Sequence, residues 1–365
     1  MATSPDICFV STEVYGYLNP DQATSGGGAE RQQYMIGKEL RNRGYSVSYI
    51  TCSNNDQAFE QINGFEVWGN LPQSNGVLFG PYRLLKLMQI MQKVDAKTYY
   101  VRGNRFLTIG VALVCKLLGQ PYIYCVASDI NVEPEHNNSL WGKYYIKAVD
   151  QAGHVTTLTK HQQDILNDEY GISATVVPCG YTIPAESEIV PPNKREYVLW
   201  VGRLTKNPKR PDRFLEIAEQ LPHINFVMVA APGDNEDWNK KIRRQAGALE
   251  NVSFEGFVPP DEIHDYYRKA SMLVSTSEYE GFGNVFLEAW RYQTPVISLK
   301  YTLDDVISDQ KVGIHSGSMS QMIDDIDALH SDTHARHTMG ENGRKLVINE
   351  FSIDIVANKV QCLIE

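Results

Sequence analysis

Two carboxylates eight positions apart, Glu280 and Glu288, bracket a stretch that opens Gly281-Phe282-Gly283 and then turns apolar. Glycine is a poor helix former, so the segment reads as a loop followed by a helix that starts near Asn284. The strand pattern MLVST precedes it. Glu280 then falls on the loop beside the N–H groups of Gly281 to Gly283, and Glu288 about one turn into the helix. Exposed N–H groups and the helix dipole at such a start suit a phosphate. A carboxylate beyond them can accept hydrogen bonds from a vicinal diol such as a ribose, and the other carboxylate from the hydroxyls of a hexose.

A second cluster, VGRLTKNPKRPD (201–212), carries the opposite charge. A strand ends at Val201, Gly202 lets the backbone turn, and Arg203 and Lys209 follow before a helix begins near Asp212. Both cations sit on a loop at the carboxyl edge of a sheet. Arg203 can grip a phosphate bidentately and Lys209 can add a point charge, each such bond being worth about 1.5–3 kcal/mol. Lys206 and Arg210 are close enough to share this work. The alternative is a solvated charged loop.

The first half of the chain has its own glycine cluster, SGGGAERQQY (25–34). A dinucleotide fingerprint fails here, because the third glycine would fall on Arg31. A long loop ending at a helix start, with Gly26, Gly27 and Gly28 free to approach an anion, fits better; an ordinary glycine-rich loop is the alternative. Asp129, after the strand pattern YIYCVA, is a candidate for orienting hydroxyls, with a helix cap as the other reading. Arg102, at the end of TYYVR, reads more as a surface salt bridge than as a site residue.

These loops need strands and helices to carry them. Short β-like runs (ICFVS, VSYIT, TYYVR, YIYCVA, HVTTLT, TVVPC) alternate with helical patterns in the first half, and YVLWVG, INFVMVA, VSFEGF, MLVST and PVISL do so in the second. The fold class is α/β: two Rossmann-like doubly wound domains facing a central cleft, with ligands outside the carboxyl ends of the strands. The expected boundaries are an N-terminal domain over 1–182, a proline-rich linker over 183–196, and a C-terminal domain over 197–350. The last segment, 351–365, is an amphipathic helix.

The totals narrow the function. The 365 residues exceed what one core usually organises, and the 42% hydrophobic and 21% charged fractions are ordinary for a globular protein. A net charge of −10 argues against nucleic acid as a main partner. MATSPDICFVS shows no signal segment, and the longest apolar run, FLTIGVALVCKLLG, is too short to span a bilayer. A cytoplasmic location with at most peripheral membrane contact follows. The six cysteines show no CxxC pairing and read as reduced buried thiols. His330, His334 and His337 have metal-like spacing but no carboxylate placed to assist, and Asp324 to Asp327 (DDID) reads as a solvated helix face, so no metal is expected. Residues 82–94 are amphipathic and read as a core-facing helix ahead of a membrane-docking one.

Taken together, GGGAERQ, VGRLTKNPK, FEGFVPPDEIHDYY (254–267), EYEGFGNVFLEAW and TPVIS resemble retaining nucleotide-sugar glycosyltransferases of family 4, with the B-type fold of two Rossmann domains, over nearly the whole chain. The resemblance implies that Arg203 and Lys209 bind the donor diphosphate and that Glu288 binds the ribose hydroxyls. Glu280, with the backbone of Gly281, Phe282 and Gly283, would contact the transferred sugar. Phe257 and Val258 would pack near the base, Gly26 to Gly28 would approach the phosphates, and the final helix would cross back onto the first domain. It also implies a metal-independent enzyme without a cofactor, whose partners are a nucleoside-diphosphate sugar, UDP foremost, and a glycan, lipid-linked or small-molecule acceptor. One departure stands out: Ser128 precedes Asp129 where the family often has a histidine. A nucleotide-sugar epimerase of the same fold and a non-catalytic sugar-nucleotide-binding subunit remain the alternatives.

Overall fold

The computed structural model describes residues 4–19, 27–52, 58–72, 80–259 and 262–365. The chain forms two compact units, 1–180 with 353–365, and 181–352. Each is built on a sheet of short strands, of which several inner ones are buried along their whole length, as continuous apolar runs in a parallel sheet should be, while the edge strands are partly exposed.

In the first unit the strands are β1 (Ile7–Val10), β2 (Val47–Ile50), β3 (Glu60–Ile62), β4 (Phe65–Trp68), β5 (Tyr99–Arg102), β6 (Tyr122–Cys125), β7 (His154–Thr157) and β8 (Thr175–Val176). Their order is β3-β4-β2-β1-β5-β6-β7-β8. Among these strands only the β3–β4 pair is antiparallel. Strand order grows in both directions from β1, and right-handed crossovers then place helices on both faces. Local signals set the helix ends. Asn104 caps the helix Arg105–Leu118 by accepting from Leu107 N at 3.1 Å. Thr159 caps Lys160–Tyr170 by accepting from Gln162 N at 3.2 Å. The closing helix Ile353–Ile364 belongs to this unit: it packs on the helix Gly28–Asn42, where Arg43 bonds to Asp354 and Asn358. The helix Gly80–Val94 buries Leu87, Ile90, Met91 and Val94, as its periodicity requires, and leaves Tyr82 and Leu85 exposed.

In the second unit the strands are β9 (Tyr197–Arg203), β10 (Phe226–Ala231), β11 (Val252–Glu255), β12 (Ala270–Ser275), β13 (Val296–Ser298) and β14 (Gly313–His315). All pairs are parallel, in the order β11-β10-β9-β12-β13-β14. The strand order reverses between β9 and β12, so this sheet has its topological switch point there. The core beneath is aromatic and aliphatic: Phe214 stands between Trp200 (6.1 Å) and Phe226 (5.5 Å, edge to face). The stretch 183–196 is tied to this unit by two arginines, the half-buried Arg195 and the buried Arg344. Arg195 donates to the carbonyls of Val190, Ala270 and Tyr292 and to Thr294 Oγ1. Arg344 donates to the carbonyls of Pro184 and Arg291.

Candidate active site

The two charged loops leave the sheet of the second unit from neighbouring strands. β9 and β12 pair in parallel, Leu199 opposite Leu273, so the loops after Arg203 and after Ser275 start at the same edge of the sheet. Ligands of open α/β sheets bind outside the strand ends at a switch point.

Four contacts fix the loops in place. Thr276 Oγ1 accepts from the indole N–H of buried Trp200 at 3.0 Å. The same hydroxyl lies 2.8 Å from the Lys209 carbonyl and 2.9 Å from that of Arg210. Glu278 N donates to the Pro208 carbonyl at 3.0 Å. The result is an ion pair between residues 71 apart in sequence: Lys209 Nζ stands 2.6 Å from Glu280 Oε1 and 2.8 Å from Oε2. Both side chains are largely withdrawn from solvent, at 22% and 11% exposure.

The remaining cations divide by their partners. Arg210 is committed to acids: it bonds Asp212 at 2.8 Å and approaches Glu278 at 3.5 Å, and the Asp212 carboxylate raises its guanidinium above its ordinary pKa. Arg213 reaches Glu278 at 2.6 Å. Lys206 lies over the Trp238 ring. Neither Arg210 nor Lys206 is therefore placed like Arg203. Arg203 is exposed at the end of β9, with no side-chain ion pair or hydrogen bond among the described residues.

Gly202, next to it, lies where an added Cβ would stand 2.9 Å from the Trp200 ring. The helix after Glu280 runs Asn284–Trp290, with Gly283 at its cap in the left-handed region (φ +76°). Phe282 is buried against Phe351, while Gly281 stays half-buried. Glu288 is a buried carboxylate, 5% exposed, on that helix. Phe257 is 62% exposed and Val258 half-buried, on the loop after edge strand β11.

The candidates of the first unit are placed as follows. Gly26 lies outside the described residues. Gly27 caps the helix Gly28–Asn42, its N–H donating to Glu30 at 2.9 Å. Asp129 begins a single helical turn after β6 and accepts from Gln162 Nε2 at 2.9 Å. The cap of that turn falls to its neighbours, because Asn131 Oδ1 accepts from Ala127 N and Ser128 N. Arg102 corrects the expectation of a surface salt bridge: it is 8% exposed, and Nη2 lies 3.5 Å from Cys179 Sγ. Asn131, whose Nδ2 also reaches the Gly103 carbonyl at 3.1 Å, carries no sequence motif that could have drawn attention to it.

Possible metal ligands lie elsewhere. Among the described residues Glu133, Glu135 and His136 are the one group whose ligand atoms converge. His337 has a carboxylate after all, Glu341 at 3.5 Å, one turn along its helix.

Comparison with known proteins gives this arrangement its class. Residues 26–183 match the family described as Glycosyltransferase Family 4, and residues 184–346 match Glycosyl transferases group 1. An uncharacterized glycosyltransferase of Methanocaldococcus jannaschii is 30% identical over 356 residues, covering 89% of this chain and 90% of that protein. An amylovoran biosynthesis glycosyltransferase of Erwinia amylovora is 25% identical over 289 residues, covering 76% and 78%. Among solved structures, a sucrose-phosphate synthase from Thermosynechococcus elongatus superposes with a TM-score of 0.74 at 18% identity, covering 98% and 97% of the chains. An E. coli structure described as trehalose-6-phosphate bound with UDP-2-fluoro glucose gives 0.70 at 12% identity, covering 98% and 99%. The protein is a glycosyltransferase enzyme. It belongs to family 4 and has the B-type fold of two Rossmann-like units.

Proposed function

We propose that this glycosyltransferase moves a hexose-type sugar, with retention of anomeric configuration, from a nucleoside-diphosphate sugar to a hydroxyl of a glycan, lipid-linked or small-molecule acceptor. UDP is the favoured nucleotide, the one named in a solved structure of the same fold. The observation that carries the reading is the Lys209–Glu280 pair at the switch point, with Arg203 unpaired at the neighbouring strand end. A diphosphate there meets Arg203, whose guanidinium has no internal acid to give up, and Lys209, whose charge Glu280 orients. Glu280 keeps lone pairs for the hydroxyls of the transferred sugar, and Glu288 for those of the ribose. Phe257 offers an exposed ring for the base.

In this reading the leaving diphosphate is stabilised by cations already in place, which is electrostatic preorganisation and needs neither a resident metal nor a cofactor. Glu280 is tied to Lys209, so it acts as an acceptor of hydroxyl hydrogen bonds rather than as a nucleophile. The diphosphate oxygen takes the acceptor proton while the new bond forms on the face the leaving group vacates. Melting the protein with UDP-, GDP- and ADP-sugars tests the donor, since a ligand of the folded state raises the midpoint. The expected result is a shift with UDP-sugars, unchanged by a chelator. Proton NMR of the transfer product reads retention; an inverted product, or no shift with any nucleotide sugar, overturns the reading.

A further inference from the structure

Among the described residues, eight of the thirteen large exposed hydrophobic side chains lie on just three helices of the first unit, Gly80–Val94, Arg105–Leu118 and Leu140–Asp150. The middle helix packs against both of the others. It turns Leu107, Val111, Val114 and Cys115 inward and leaves Phe106, Leu113 and Leu117 on its outer side, Leu117 at 73% exposure. On the following helix Leu140, Trp141 and Tyr144 are exposed, Leu140 at 67%. Across the second and third helices the exposed rings touch: Phe106 and Trp141 meet edge to face at 5.6 Å, and Trp141 meets Tyr144 at 6.2 Å. On the first helix Tyr82 and Leu85 are exposed, with Lys86 over the Tyr82 ring.

The charge on the same helices is one-sided. Lys86, Lys93, Lys116, Lys143 and Lys147 show no ion pair among the described residues. The single acid on the three helices is Asp150, the last residue of the third. The nearest acids before that helix, Glu133 and Glu135, are turned to His136 at 3.3 and 3.6 Å. Elsewhere the chain is acidic, with a net charge of −10. An anionic surface is therefore repelled by the net charge of the molecule but attracted locally by these lysines. Aromatic rings and leucines interleaved with unpaired lysines match the boundary between lipid headgroups and acyl chains, where the rings sit at headgroup depth and the ammonium groups reach the phosphates. No helix among the described residues is long and apolar enough to cross a membrane, so such contact is on the surface.

We propose that this three-helix face docks the protein on an anionic lipid surface. The inference does not depend on the reading of the donor site, because the surface lies wholly on the first unit.

The test is co-sedimentation of the full chain, without nucleotide, with vesicles of phosphatidylcholine alone and of phosphatidylcholine mixed with phosphatidylglycerol. The expected result is binding to the mixed vesicles only, weakened by salt, with a blue shift of tryptophan emission that Trp141→Ser abolishes. Lys116→Gln/Lys143→Gln/Lys147→Gln should weaken binding by roughly five-fold per lysine. Circular dichroism and the melting midpoint check that these surface variants fold. If the triple variant does not fold, the salt titration of the unaltered protein decides alone. Equal binding to both vesicles, no binding, or a salt-independent affinity overturns the proposal. So does a dimer in light scattering that Trp141→Ser disperses, because a second copy would then cover the face.

Discussion

Lys209 Nζ lies within hydrogen-bond distance of both carboxylate oxygens of Glu280, 2.6 and 2.8 Å away, across the one place in the second sheet where strand order reverses. Both side chains are largely withdrawn from solvent, so the cost of desolvating two charges offsets much of their attraction. The value of the pair is positional, since each charge fixes the other beside the strand ends. Glu280→Gln keeps the shape and removes the charge. It should lower kcat by on the order of 100-fold while nucleotide affinity changes by less than about three-fold, because the amide no longer accepts from sugar hydroxyls at both atoms. Steady-state kinetics beside titration with free UDP separates the two; a variant with normal kcat removes Glu280 from sugar contact.

Thr276 is fully buried, and its one hydroxyl serves Trp200 and the loop that carries Lys209. Thr276→Val is close in volume but leaves the indole N–H and two carbonyls without that partner. Urea unfolding should show a loss of about 1–3 kcal/mol. KM for the donor should rise as the Lys209 loop loosens, and Thr276→Ser should restore both. A KM left unchanged by Thr276→Val would show that the Lys209 loop keeps its place without the hydroxyl.

Gly283 holds φ at +76°, and an added Cβ would stand 3.0 Å from the Tyr301 ring and 3.1 Å from that of Phe286. Gly283→Ala should therefore cost about 1–2 kcal/mol from backbone strain, read as a lower melting midpoint, with donor affinity falling as the loop from Glu280 to the helix start shifts. An unchanged midpoint would mean that the turn relaxes freely.

Five of the six cysteines are buried, and Cys362 is exposed. Burial pushes the thiols of Cys8 and Cys115 up to about 12. The folded state thus holds these protons where the unfolded chain, at an ordinary value of 9.0, releases them. Stability from this source is complete below about pH 9 and is lost as pH rises toward 12. A thiol reagent at neutral pH should label one cysteine in the native protein and six in denaturant. The urea midpoint should fall above pH 9, less steeply in Cys8→Ala/Cys115→Ala. Rapid labelling of more than one native thiol would contradict this account.

Much of the architecture was legible because parallel strands buried on both faces are written as unbroken apolar runs: ICFVS became β1, TYYVR β5 and YVLWVG β9. The β3–β4 hairpin was not, since Glu60, Gln61 and Glu66 dilute its pattern and only Phe65 and Val67 are buried. At the site, the types and spacing of Arg203, Lys209, Glu280 and Glu288 were visible. The Lys209–Glu280 pairing was not, because it depends on β9 and β12 being neighbours, a relation between strands that no local stretch encodes. Arg102 was misread for a similar reason: whether an arginine at a strand end meets solvent or Cys179 is decided by the chain that returns over it, 77 residues later.

The central claim is that cationic side chains of the second unit hold a pyrophosphate. Calorimetric titration of UDP into the protein and into Arg203→Ala tests it most directly. With a charge-assisted bond worth about 1.5–3 kcal/mol, the variant should bind roughly 10- to 100-fold more weakly while its melting midpoint without ligand stays the same. Equal affinity in the two proteins would contradict the account.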